Sequence, residues 1–154
     1  MTYGQDTFNI FTQSGGSNEV WSFGEKVEAV LVRLLAVREN LRPYLTDVFA
    51  NYAATGDPVM APLFYQFPDQ PKLHDRGDAY MLGPDLLVAP VLEPGATSRT
   101  VGLPEGETWV HAWTGAEHAG GSNPSIAAPW GLPPVFIRKH KADALRPVFF
   151  HAET

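Results

Sequence analysis

The sequence predicts an α/β segment followed by an all-β one: a strand, helix, strand unit over residues 8–67, then an antiparallel β-sandwich from Gly77 onward. Three observations carry this. Apolar residues at helical spacing are concentrated in the first third of the chain. After Met81, short apolar runs alternate with turn residues and no helical stripe interrupts them. The run "LLVAPVL", residues 86–92, does not alternate apolar with polar, so both of its faces should be buried between two layers. With 154 residues and 44% hydrophobic content the chain can bury the core of one or two small domains. Its 14 Gly and 14 Pro are dispersed, as turns between short strands require.

In chain order, "FNIF" at residues 8–11 reads as a short buried strand, and "TQSGGSNEVW" as a loop. Ser22 and Glu25 have capping-box spacing, which predicts a helix start there. Val27, Val30, Leu31, Leu34, Leu35 and Leu41 then form one apolar stripe, with Glu28, Arg33, Arg38 and Glu39 largely off it. Pro43 has no amide hydrogen, so it kinks this helix or opens a second. The second carries Tyr44, Leu45, Val48, Phe49 and Tyr52 to a stop at Gly56 and Pro58. "PVMAPLFYQF" is expected to be a strand, paired in parallel with residues 8–11 through a right-handed crossover. Beyond a polar linker at residues 68–77, strands are expected at 86–92, 99–103, 108–113, 125–127, 135–138 and 148–151.

A net charge of −6 with no Lys or Arg run excludes nucleic acid and an anionic membrane surface as main partners. No apolar run approaches the length of a membrane span, and no basic-then-apolar leader follows Met1. The expectation is a cytoplasmic protein, unless a leader lies upstream. Lack of cysteine removes disulfides, thiolate metal sites and a Cys nucleophile together. His74, His111, His118, His140 and His151 never take ligand spacing, and neither a phosphate loop nor Gly-x-Ser-x-Gly occurs, so no metal and no cofactor are expected.

"RENLRPYL", "TGDPVMAPLFYQFPD", "DAYMLGPDLLVAPVLEPGATSRTVGLPEGETWVHAWTG" and "PPVFIRK" follow one another in an order and spacing that resembles the C-terminal part of glycoside hydrolase family 31, the α-glucosidase and α-xylosidase family. The resemblance covers residues 21–138. It implies that residues 1–70 are similar to the end of a (β/α)8 barrel and residues 77–154 to the β-sandwich that follows. A whole barrel takes about 250 residues, so this chain is expected to hold only a part. The resemblance further implies retaining hydrolysis of α-linked glycosides by two aspartates on earlier barrel strands. No catalytic residue is therefore expected here, and the remaining barrel, in the same gene or a partner chain, is the expected partner alongside an α-linked oligosaccharide. The sequence departs from the family pattern in having no Arg-x-His segment in "FTQSGGSNEVW", Ala61 where Arg precedes Pro-Leu, and Thr46 where Tyr follows "PYL".

If residues 8–11 end a barrel strand, Gln13, Ser14 and Asn18 stand where barrel active sites are built, and their amides and hydroxyl suit sugar hydroxyls. Trp21 is a candidate to stack on a sugar ring or to staple the helix start. Asp75 and Asp78 are the nearest approach to paired carboxylates, yet linker spacing does not hold them across a substrate, so they read as solvated turn residues. Trp109 and Trp113, expected on one strand face, with Trp130, suggest an alternative role as a stand-alone carbohydrate-binding or assembly module. A noncatalytic remnant is the third reading.

Overall fold

The computed structural model describes residues 19–150. The strand expected at residues 8–11 and the candidates Gln13, Ser14 and Asn18 lie outside the described residues. A 3-10 turn, Val20–Phe23, leads through Gly24 into α1 (Glu25–Asn40). The capping box is not formed. Ser22 sits inside the 3-10 turn, and the cap position belongs to Gly24, whose φ of 88° turns the chain where a side-chain-bearing residue would be strained. Its carbonyl accepts from the amides of Val27 and Glu28, each at 3.0 Å. Glu25 and Glu28 in the first turn and Arg38 in the last complement the helix dipole. Pro43 opens α2 (Arg42–Thr55), and Gly56, left-handed at φ 82°, ends it with its amide 2.8 Å from the Tyr52 carbonyl.

The sheet begins with β1 (Met60–Pro62); its expected parallel partner, residues 8–11, lies outside the described residues. β1 runs antiparallel to β2 (Tyr80–Leu82), with Ala61 opposite Met81. Pro62 has no amide to continue the ladder. Leu63, fully buried, starts the single helical turn α3 (Leu63–Gln66) where strand was expected. β3 (Leu86–Val88), β4 (Ser98–Thr100), β5 (Thr108–His111), β6 (Glu117–Ala119), β7 (Ser125–Ala127) and β8 (Val135–Arg138) complete the strands. A six-stranded sheet runs β1-β2-β3-β8-β5-β6, every pairing antiparallel, and β4 pairs with β7 in a second sheet. Val148 and Phe149, expected to begin a strand over residues 148–151, instead end the 3-10 turn Arg146–Phe149 that follows α4 (Ala142–Leu145), and residue 151 lies outside the described residues. Pro147 cannot donate to a ladder, and Phe149 is buried.

Alternation along the central strands separates two cores. Met81, Leu87, Trp109 and Phe136 face one way, packed with Leu63, Phe67 and Leu73 and with Val101, Leu103 and Ile126 from the region of the small sheet. Leu86, Val135 and Ile137 face the other way, against Val37 and Leu41 of α1 and its exit, Tyr44 and Leu45 of α2, and Leu145 and Phe149. The β3 strand is shorter than the seven apolar residues suggested, but it is held between two layers as they required.

Candidate functional site

The best-built joint is where α2 meets the turn between β2 and β3, Gly83-Pro84-Asp85. The Tyr44 hydroxyl donates to the Leu82 carbonyl at 2.9 Å and accepts from the Asp85 amide at 3.1 Å. Gly83 has a φ of +62°, and a Cβ there would stand 2.4 Å from the Tyr44 hydroxyl and 2.6 Å from Val48 Cγ2. Glycine is thus required twice over, by backbone angle and by space. Burial, joined by the Asp85 charge and outweighing the backbone hydrogen bonds and the Arg138 charge, pushes Tyr44 from its ordinary 10.0 up to about 12.

Behind this turn lies a cluster of charges. The Arg138 amide donates to the Asp85 carbonyl at 3.0 Å, and its Nε donates to the Pro84 carbonyl at 2.8 Å. The Arg138 guanidinium pairs with the Glu107 carboxylate and lies 5.4 Å from the ring centres of Phe67 and Trp109. His140 stands 3.5 Å from Asp85 and 3.8 Å from Glu107. Glycoside chemistry needs two carboxylates facing each other across a substrate. Here Glu107 is paired with Arg138 and Asp85 lies beside the His140 ring, so the two carboxylates do not face each other across an open site.

Asp78 is not the solvated turn residue the sequence suggested. Its carboxylate lies 2.6 Å from Arg99, a side chain only 13% exposed, and 3.5 Å from Arg76. Asp75 is exposed as expected. The tryptophans part company as well. Trp109 is fully buried, its indole donating to the Pro104 carbonyl at 3.0 Å. Trp113 follows the end of β5 and packs on the opposite core, donating to the Pro133 carbonyl at 2.7 Å and meeting Phe149 edge-on at 5.1 Å. The expected shared face fails because the strand ends at His111, and of the sandwich tryptophans only Trp130 is exposed for stacking. Burial, then the charge of His118, lowers the pKa of His111, whose Nδ1 lies 2.8 Å from the Thr114 hydroxyl. Among the described residues no cluster could hold a metal, and no helix is long and apolar enough to cross a membrane.

The helices carry apolar residues on more than the single stripe expected. Val37 and Leu41 point into the core, and Arg33 lies over the Trp113 ring at 5.3 Å. Val32 and Leu35 of α1, and Phe49 and Tyr52 of α2, are exposed pairs one helical turn apart, and with Trp21 (64% exposed) and Phe23 they leave large apolar side chains uncovered. Trp21 therefore does not staple the helix start. The joint residues Tyr44, Gly83 and Arg138 escaped the sequence reading. The one signal was the Gly-Pro-Asp turn before an apolar strand, which marks a turn but not what packs on it.

Residues 56–142 match the family model described as the glycosyl hydrolase family 31 C-terminal domain. The chain is 37% identical over 127 residues to Alpha-glucosidase 2 of Bacillus thermoamyloliquefaciens, a match covering 82% of the chain and 16% of that protein. It is 42% identical over 120 residues to a sulfoquinovosidase of Escherichia coli (strain K12), covering 77% and 17%. Among solved structures, a GH31 alpha-xylosidase from a soil metagenome complexed with xylose superposes with a TM-score of 0.82 at 47% identity, over 88% of this chain and 20% of that one. A GH31 dextranase of Flavobacterium johnsoniae complexed with glucose superposes at 0.78 with 31% identity, over 82% and 16%. Sequence and fold together define a glycoside hydrolase component. The chain belongs to glycoside hydrolase family 31, and it spans between 16% and 20% of the length of these four relatives.

Proposed function

We propose that this chain is the C-terminal part of a retaining α-glycosidase acting on α-linked glucosides, xylosides or their oligosaccharides. In this reading the helical segment up to Gly56 ends the catalytic (β/α)8 barrel, and the sandwich begins with β1, whose hydrogen bonds tie it to β2. Gln13, Ser14, Asn18 and Trp21 contribute sugar contacts, while the two catalytic aspartates come from the rest of the barrel. The observation that carries the proposal is the combination of the family match from residue 56 with the uncovered apolar residues on the preceding helices, Val32, Leu35, Phe49 and Tyr52. Apolar surface of that kind marks an interface with further protein. The names of the relatives, alpha-glucosidase and alpha-xylosidase, give the reaction class.

The test is a chimera in which this chain replaces the corresponding segment of the soil-metagenome alpha-xylosidase. The expected outcome is a folded enzyme that still hydrolyses an aryl α-xyloside, while this chain alone does not. A chimera that unfolds cooperatively yet is inactive at every α-glycoside tried overturns the proposal.

A further inference from the structure

On the face of the sheet away from α1 and α2, a cleft of about 480 Å³ opens between the segment after α3 and the loops that precede β5 and β7. At its base, Leu73 and Leu103 belong to the core on the face of the sheet opposite α1 and α2. Its walls are pinned. The Gln70 side chain donates to the Glu105 carbonyl at 3.2 Å and accepts from the Glu105 amide at 2.9 Å, locking two loops by both groups of one amide. On the other wall Arg76 donates to the Asn123 side-chain oxygen at 3.2 Å. That contact depends on Gly102, where a Cβ would lie 2.7 Å from the guanidinium and 3.2 Å from the Asn123 oxygen.

The chemistry of the cleft is polar and balanced. Lys72 and Glu105, paired with each other at 3.4 Å, Arg76, 3.5 Å from Asp78, and Asp69 keep further donors and acceptors at the cleft, and the formal charges of the four lining residues cancel. With its oxygen held by Arg76, Asn123 keeps the two donors of its amide nitrogen. The Pro71 ring adds apolar surface at the edge. A balanced set of donors and acceptors does not select a phosphate or a polycation. It fits hydroxyl groups, each of which donates and accepts at once, on a ligand that also has C–H faces. We propose that this cleft is a second saccharide site that binds one or two units of a neutral α-linked oligosaccharide, separate from the contacts assigned to Trp21 and its neighbours. No aromatic ring is among its lining residues, so the site is weak and serves to retain a long substrate near the enzyme.

The test is a titration of the isotope-labelled 154-residue chain with isomaltotriose to tens of millimolar, read residue by residue by NMR. Saturable shifts are expected in residues 69–76, 102–105 and 121–123. They should weaken about tenfold in Asn123→Ala, and likewise in Arg76→Ala, the loss of one good polar contact. Asn123 and Lys72 are exposed, so Asn123→Ala and a second variant, Lys72→Ala, should keep the wild-type spectrum elsewhere and separate lost binding from lost folding. Flat titration in this region overturns the site, as do shifts confined to the surroundings of Trp21, which would support only the contacts proposed there. Equal shifts with inorganic sulfate would make it an anion site and also overturn the assignment.

Discussion

The helical pair and the sandwich obey opposite rules of burial. In the sandwich both faces of the large sheet are covered, and Trp109, Phe136, Leu86, Leu87 and Ile137 are almost wholly out of water. In the helices only Val37 of α1 and Val48 of α2 are buried, while Val32, Leu35, Phe49 and Tyr52 remain exposed. A helix normally buries an apolar stripe wider than 100° against something. The large sheet thus has both faces covered, one of them by α1 and α2, while the outer side of those helices leaves large apolar groups in water. The match to the family 31 C-terminal domain begins at residue 56, just after α2 ends.

The largest effect is expected from Trp109→Ala. Trp109 is fully buried, packs against Phe67 with ring centres 6.4 Å apart and supports Arg138 from below, so its loss removes contacts from the middle of the sandwich core. Such a truncation costs about 3–5 kcal/mol, a large share of the stability of a domain this size. The denaturant midpoint should collapse. A loss under about 1 kcal/mol would mean that the sandwich is not the stabilising half.

A smaller effect is expected at the joint between the two regions. Gly83→Ala sets a Cβ against the Tyr44 hydroxyl and demands a left-handed angle of alanine, together costing about 1–3 kcal/mol. Because the clash is with α2, hydrogen exchange should quicken in Arg42–Thr55 before it does in Val135–Arg138. Alkaline titration reads the same joint. The folded state raises the Tyr44 pKa to about 12, so it holds the proton more tightly than the unfolded chain does. The stability this provides is present in full below pH 10.0 and is lost as pH rises towards about 12, a slope that should be shallower in Tyr44→Phe, the remainder coming from Tyr80, whose pKa burial also raises. Uniform exchange through both regions would show that helices and sandwich open as one unit, and the comparison would fall.

Much of this division was legible in the residues, because its causes are local. Pro43 and Gly56 frame α2 through backbone chemistry that no packing overrides, and β7 and β8 follow from short apolar runs between turns. Long-range pairing was not legible. Residues 58–67 are β-prone throughout, and only the pairing of Ala61 with Met81 and the burial of Leu63 make them three residues of strand and a helical turn. Equal apolar spacing on α1 could not say which of Leu35 and Val37 faces the sheet, since that depends on where Trp113 and Phe149 stand. The cleft was equally hidden: Gln70, Arg76, Glu105 and Asn123 come from loops up to 53 positions apart, and no motif links them.

The finest probe is a substitution that should leave the fold alone. Phe49 is 57% exposed on α2, so Phe49→Ser removes little buried area and should change stability by no more than about 0.5 kcal/mol. If the outer helix surface awaits the rest of a barrel, however, the unpartnered chain hides it by self-association, driven by the same apolar groups. Sedimentation velocity should then show Phe49→Ser shifted towards monomer relative to the wild type at equal concentration, with an unchanged denaturation curve. A change in stability without a change in association would place Phe49 in a core of this chain. No change in either would show that the exposed apolar residues on the helices are isolated surface groups of the kind every protein carries, and that the contrast with the sandwich does not mark an interface.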